Sequence, residues 1–523
     1  MPATVTLDAM ITREDFAVAG SQVGSPDAVT TLSVENMKSG GMISALLRKP
    51  DFQRETNHWT PEQLVSFLES FLDSELIPSI ILWQSEAYVF VIDGGHRLSA
   101  LRAWIEDDYG DGSISTKFFS GEVSDEQKRI ARRTRALVAK RVGHYKMLWD
   151  ALSDGEGFDE TTLRRARTMA TRQLNLQWVK GNSSKAESSF FKINTLGTPL
   201  HKTEEVLLRN RERSIAIAAR SIVRAATGHK YWSKFSTDTK AEIEEQSKDL
   251  HALLFSPEIK NPIKTLDLPL GGAKSPIVGL GVLMEWLACC DLSEQLSPKP
   301  LSDFPLDPDG KQTIELLSRA NKVASRITGN HSGSLGLHPA IYFYSENGRH
   351  VPDLFLGFTI VVAKKLKQND KMFFSKFTEV RHQLESDLIQ HKSLILQALQ
   401  TVMSKKRVNL VSEFFTEAIK LIGSGGRIDE PWLVSQIATS AKGARILAIK
   451  ESVDGTAFSD SAKSASFLKK ALDGALRCPI CSGYLDVNKS VSYDHVHRVQ
   501  DGGKGGSENC DLTHPFCNSA VKN

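Results

Sequence analysis

Surplus charge is nearly absent from this chain: 65 Lys and Arg stand against 62 Asp and Glu, a formal net charge of +3. So small an excess excludes overall electrostatics as a reason to bind nucleic acid or a membrane; local clusters would have to supply any such affinity. Long apolar runs are missing as well. No stretch of about 18 apolar residues occurs, so no membrane-spanning helix and no membrane partner are expected. Met1 to Asp15 mixes acidic and polar residues without the basic-then-apolar order of a signal peptide, and the expected location is cytoplasmic. Cysteine is scarce, 6 in 523 residues, and unevenly spread. Cys289 and Cys290 sit in an apolar run and are expected to pack there, whereas Cys478, Cys481, Cys510 and Cys517 crowd together. That distribution excludes a disulfide framework and fits a metal site. No internal repeat and no Walker A loop are present; Gly271-Gly-Ala-Lys-Ser275 lacks the required spacing.

What is there is an ordinary globular composition, 41% apolar and 24% charged, in a chain too long for one core. The expected class is α/β plus α. Residues 1–210 would form an α/β domain, 211–455 a mainly helical domain, 456–466 a linker, and 467–523 a small zinc domain.

In the first domain, Thr60-Pro61-Glu62 supplies a cap, a proline for the first turn and an early acid. The apolar spacing of Leu64, Phe67, Leu68, Phe71 and Leu72 then predicts a helix ending near Ser74. Pro78–Trp83 and Tyr88–Ile92 read as two strands. The second runs into Asp93-Gly-Gly-His-Arg97 and a helix over Leu98–Trp104. Strand, glycine turn and helix N-terminus make an anion-binding geometry. Gly94 and Gly95 would let a phosphate approach the backbone, Arg97 could add a bidentate contact, and Asp93 could hold a metal or a sugar hydroxyl. A plain tight turn with a salt bridge would produce the same letters.

Taken with Pro50-x-Phe-Gln53-Arg54, Trp59 and Phe191-x-x-Asn194-x-x-Gly197-x-Pro-Leu200, this loop resembles the ParB-like "DGQQR" domain of GmrSD- and SspE-like modification-dependent restriction proteins. The resemblance covers residues from about 40 to 210. It implies a ParB-like α/β fold that binds a nucleoside triphosphate (ATP, GTP or CTP) and hydrolyses it. The implied nucleotide-binding residues are Gln53, Arg54, Asp93, Gly94, Gly95, His96, Arg97 and Asn194. Both glutamines of the family loop are replaced here, by Gly95 and His96, while the aspartate, the first glycine and the arginine are retained.

Two basic runs lie between these motifs, one from Lys128 to Lys146 and one formed by Arg164, Arg165, Arg167 and Arg172. They read either as contacts to DNA phosphates or as solvated faces paired with Asp and Glu. Arg164, Arg165 and Arg167 are kept as DNA-contact residues. Beyond residue 205 helical spacing predicts helices over Glu204–Ala226, Ile277–Cys290, Ile314–Ile327, Leu354–Lys367, Phe377–Val402 and Leu410–Ile422. The aromatics of His338–Tyr344 are expected in the core.

At the end of the chain, Cys478-x-x-Cys481 and His514-x-x-Cys517 are two ligand pairs suited to structural Zn2+; Cys510 could substitute, but its spacing to Cys517 is wrong for a knuckle. Tyr493-Asp494-His495, Gly502-Gly503, Asn509 and Asn518 are left unexplained by zinc. Together these positions resemble the HNH endonuclease pattern over roughly residues 475–523, which implies a ββα-metal fold. By that resemblance His495 is the general base and Asn509 orients it. Asp494 and Asn518 hold catalytic Mg2+ or Mn2+, and Arg498 and Lys504 contact DNA. The combined expectation is a nucleotide-regulated DNA endonuclease of restriction or anti-phage defence, acting on DNA as a homodimer if both strands are cut. Two rivals are a nucleotide-gated DNA clamp whose zinc domain grips without cutting, and an N-terminal protein-interaction platform without a nucleotide.

Overall fold

The computed structural model describes residues 4–16, 29–51, 53, 56, 58–196, 202–272, 276–438 and 457–522. The chain divides into two compact units, Met1–Arg211 with Thr227–Tyr231, and Glu212–Ala226 with Trp232–Asn523.

The first unit is built on a mixed six-stranded sheet. Its strands are β1 (Arg13–Glu14), β2 (Thr31–Ser33), β3 (Leu47–Pro50), β4 (Ile80–Gln84), β5 (Val89–Asp93) and β6 (Gln173–Trp178), in the order β1-β3-β5-β4-β6-β2. β3 runs parallel to both β1 and β5, while β4 pairs antiparallel with β5 and parallel with β6. Successive strand residues face opposite sides, and both sides are covered. Ile80, Leu82 and Val91 join Leu64, Leu68, Phe71, Leu101 and Trp104 in the larger core. Trp83, Phe90 and Ile92 face the other way, onto Phe16 and Phe190. Burial of such side chains contributes about 1.5–3 kcal/mol each.

The helix Pro61–Leu72 starts as its letters require: Thr60 Oγ1 accepts from the Gln63 amide (3.2 Å) and the Gln63 side chain accepts from the Thr60 amide (2.9 Å). The strands at Ile80–Gln84 and Val89–Asp93 lie close to their expected positions. The basic runs fall on the helices Asp125–Arg141 and Glu160–Thr171.

The second unit is mainly helical, with a core in which Trp286 stacks on Phe355 (6.2 Å) and Phe358 meets Phe415 edge-on (4.8 Å). Tyr342, Phe343 and Tyr344 are fully buried, and Cys289 and Cys290 pack inside. Three expectations need correction. Glu204–Ala226 is not one helix but two, Lys202–Arg209 and Ser214–Val223. Between them Arg211 is drawn to Asp51 (2.9 Å) and Glu187 (3.0 Å), and Ser214 N–H donates to the Pro305 carbonyl rather than along a helix. The stretch Phe377–Val402 is likewise divided, into Lys371–Gln390 and Lys392–Gln400. Within the expected linker 456–466, a helix Asp460–Asp473 begins, because Ser459 caps the Ala462 amide (3.1 Å) and Leu468 is buried.

The last stretch forms a two-stranded ladder, β7 (Ser492–His495) against β8 (Cys510–Thr513), followed by a short helical turn, Cys517–Val521.

Candidate functional site

In the first unit the parallel strands β3 and β5 end at the same edge of the sheet, so two distant motifs meet there. Beyond β5 the chain turns through Gly94 at φ +92°, and the helix Gly95–Glu106 follows. The positive φ calls for glycine, and a Cβ on Gly94 would stand 2.5 Å from Ile80 Cδ1, so that side chain would have to shift. Gln53, just past β3, lies over Gly95: its Nε2 is 3.3 Å from the place a Cβ on Gly95 would take. Gln53 Oε1 is buried without a hydrogen-bond partner among the described residues. A buried acceptor beside a helix N-terminus can take a hydrogen bond from a ligand or a water.

His96 stacks on Trp59 (5.6 Å, 29°) and lies near His58 (5.8 Å). Arg97 is turned inward, to Asp93 Oδ2 (2.6 Å) and the Pro78 carbonyl. Asn194 lies on the helix Ser183–Leu196; Arg54 and residues 197–200 lie outside the described residues.

Beneath Gln53 is a buried charged group that sequence reading missed. Asp8 accepts from Arg13 (2.6 Å), Lys49 (2.8 Å) and the Thr56 amide (3.2 Å), and Arg13 Nε reaches the Gln53 carbonyl (3.3 Å). Burial by itself would raise the Asp8 carboxyl, but the Arg13 and Lys49 cations hold it well below the usual range. Nothing in the spacing of these three residues could have announced the group.

The basic residues are mostly spoken for. Arg164 (3.0 Å) and Arg165 (2.7 Å) share Asp73. Arg133 pairs with Glu62, Arg135 with Asp107 (3.1 Å) and Asp111 (2.8 Å), and Arg141 with Glu69. Arg167 is exposed, with no ion pair found for it among the described residues.

In the second unit, one ligand atom each from Cys478, Cys481, His514 and Cys517 lies within 4.8 Å of the others. Cys478–Cys481 is a tight turn, with Ser482 N–H donating to the Cys478 carbonyl (2.8 Å) and Cys478 N–H to the Gly483 carbonyl (2.9 Å). His514 Nε2 donates to the Tyr484 carbonyl (2.9 Å), which leaves Nδ1 turned toward the thiols. Burial, with the positive charge of Arg381, lowers the His514 pKa, in the direction that favours the neutral imidazole a metal requires. Three sulfurs and this nitrogen could bind zinc. Cys510 is exposed on β8, outside the cluster.

Around the cluster, Asp494 and His495 occupy the end of β7. His495 is half-buried and is the last rung of the ladder, where strict alternation stops. Its imidazole has no hydrogen-bond partner among the described residues. Asn518, on the turn that begins at Cys517, donates to Ser492 Oγ (2.8 Å) and the Tyr493 carbonyl (3.3 Å), which brings it onto the strand that carries Asp494. Asp494 Oδ2 holds the Lys522 ammonium at 2.6 Å, a contact sequence reading did not foresee.

Asn509 differs from expectation. Its Oδ1 accepts from the His497 amide (2.6 Å), and its Nδ2 donates to the carbonyls of His497 (3.0 Å) and Lys504 (2.8 Å). It therefore clasps the loop after β7, and no hydrogen bond joins its side chain to the His495 ring among the described residues. Arg498 and Lys504 are exposed on that loop, and Arg498 Nη2 donates to the Lys522 carbonyl (2.7 Å).

Residues 32–211 match the family model described as GmrSD restriction endonuclease, N-terminal domain. The likeness lies in the first unit and does not extend to the Cys/His cluster. Among curated proteins and solved structures, none matches the chain. No helix among the described residues is long and apolar enough to cross a membrane.

Proposed function

We propose that the chain is a nucleotide-regulated DNA endonuclease whose cutting site is the HNH-like module beside the zinc cluster. The observation that carries this reading is the convergence of Asp494, His495 and Asn518 on β7 and the turn joined to it at Cys517. A half-buried imidazole without a hydrogen-bond partner among the described residues suits a base that takes a proton from water. The resulting hydroxide attacks phosphorus, the phosphorus–oxygen bond to the leaving strand breaks, and the departing oxygen takes up a proton. Asp494 and Asn518 would hold Mg2+ or Mn2+, whose charge lowers the cost of the crowded phosphate intermediate. Zinc at Cys478, Cys481, His514 and Cys517 would hold the module's shape. Asn509 would fix the loop that presents Arg498 and Lys504 to the DNA.

In the first unit, Gln53, Gly94, Gly95 and the start of the helix Gly95–Glu106 support a ParB-like nucleoside triphosphate site. Arg97 serves there by bracing Asp93 until a ligand competes for it. One module cuts one strand, so double-strand cleavage would require two copies of the chain. A DNA substrate is consistent with the expected cytoplasmic location.

The test is cleavage of modified and unmodified plasmid with Mg2+ or Mn2+, with ATP, GTP or CTP present or absent. His495→Ala should abolish nicking and retain zinc. Cutting by His495→Ala at the parent rate would remove the assignment. DNA retained at low salt yet never cut by the parent would favour a clamp that grips without cutting.

A further inference from the structure

Lys522 is held at three points, and none of them is incidental. Its amide donates to the carbonyl of the zinc-cluster residue Cys517 (3.2 Å), and its own carbonyl accepts from Arg498 (2.7 Å). Its ammonium reaches across to Asp494 Oδ2 (2.6 Å) and the His495 carbonyl. The pair is largely withdrawn from water, with 23% of the Lys522 side chain exposed and 12% of the Asp494 side chain. The cluster at Cys517 therefore sets where this cation stands. It stands on the carboxylate that the proposed function gives to a divalent ion.

Resting on that reading of Asp494, we infer that Lys522 is a built-in competitor for the divalent site, a latch that must swing off Asp494 before Mg2+ or Mn2+ binds. The physical reason is crowding of charge. A divalent ligand bond is about 2.1 Å long for Mg2+, and an ammonium hydrogen-bonded to the same oxygen would face the ion at close range with like charge. Lysine suits a latch because its charge is a point at the end of a flexible four-carbon stem. It can leave Asp494 without moving the backbone that Cys517 and Arg498 hold. Once displaced, the ammonium remains beside the site, where a DNA phosphate gives it a new partner. The latch thus makes the module less responsive to divalent metal alone than its ligands would be.

The test measures Mn2+ binding to the full-length, zinc-loaded protein by the loss of free-ion electron paramagnetic resonance signal, with no DNA present. Lys522→Met should bind Mn2+ about fivefold more tightly than the parent, the scale of a partly buried ion pair removed from competition. Lys522→Arg, which keeps a cation in place, should remain near the parent. Zinc content equal to the parent's shows that each variant has kept its module. Equal or weaker Mn2+ affinity in Lys522→Met, with Asp494→Asn still weakening binding, overturns the latch and leaves Asp494 as a metal ligand. Mn2+ binding unaffected by Asp494→Asn removes both the latch and the reading beneath it.

Discussion

Arg381 and Glu385, one turn apart on the helix Lys371–Gln390, form a fully buried ion pair at 2.7 Å that grips the module carrying the Cys/His cluster. Glu385 Oε2 accepts from the Tyr484 amide (2.7 Å), while Arg381 Nη2 donates to the Gly336 (2.9 Å) and Tyr484 (3.4 Å) carbonyls. The Tyr484 carbonyl is the one that orients His514. Further contacts come from Ser490, bonded to Thr328 (3.1 Å) and the Gly329 amide (2.8 Å), and from Phe516 N–H to the Ser334 carbonyl (2.9 Å). The module is docked on the helical body of its unit rather than hung from it.

Arg381→Met should therefore cost about 3–5 kcal/mol, because it leaves Glu385 charged and buried without its partner. Urea unfolding of the zinc-loaded protein measures this, and zinc should also be released faster to a chelator. A loss under about 1 kcal/mol would mean that the pair does not anchor the module.

Zinc removal should release the module as a whole. Cys478→Ser or His514→Ala, or treatment with a strong chelator, should open residues 478–517 to protease while the bulk of the helical signal in circular dichroism persists, since so small a fold depends on its metal. Protection unchanged in the metal-free protein would rule out a structural role for the ion.

Gly94→Ala should abolish nucleotide binding more completely than it harms stability. The left-handed turn costs an L-residue about 1–2 kcal/mol, and the added methyl would also push Ile80 Cδ1. Titration with labelled ATP, GTP and CTP should show at least a tenfold loss against the parent, and Gln53→Ala a smaller one. Parent-like binding in Gly94→Ala would exclude this turn as the site.

Asp486 predicts a pH dependence. Burial pushes its carboxyl up to about 7, with Lys489 opposing and Asp267 adding to the rise. A folded-state pKa above the unfolded value of about 3.9 means the native protein binds the extra proton. The stabilising contribution is full below about pH 4 and is lost as pH rises toward 7. Asp486→Asn, neutral throughout, should flatten that slope, so that its advantage over the parent in urea grows from about pH 5 to pH 8. An advantage independent of pH would show that the carboxyl is ionised throughout.

The local devices were legible in the letters. Thr60-Pro61 begins a helix where capping chemistry requires, Gly94 turns a strand into a helix, and the cysteine and histidine pairs converge into a cluster. Each rests on neighbours in sequence or on ligand spacing. The helix boundaries at Arg211 and Ser459 were not legible, because Asp51, Glu187 and Pro305 draw the chain out of one helix and a serine cap starts another.

By itself the sequence determined which chemistry is available: the metal ligands, the Asp494–His495 pair and the glycine turn, all encoded within short windows. Tertiary structure alone decided how that chemistry is held. It set Gln53 over Gly95 by ending two parallel strands together, spent most of the basic residues on nearby carboxylates, and turned Asn509 to its loop. It also placed Lys522 on Asp494. Such pairings depend on which charges share a low-dielectric space after folding, and residues many positions apart carry no local sign of it.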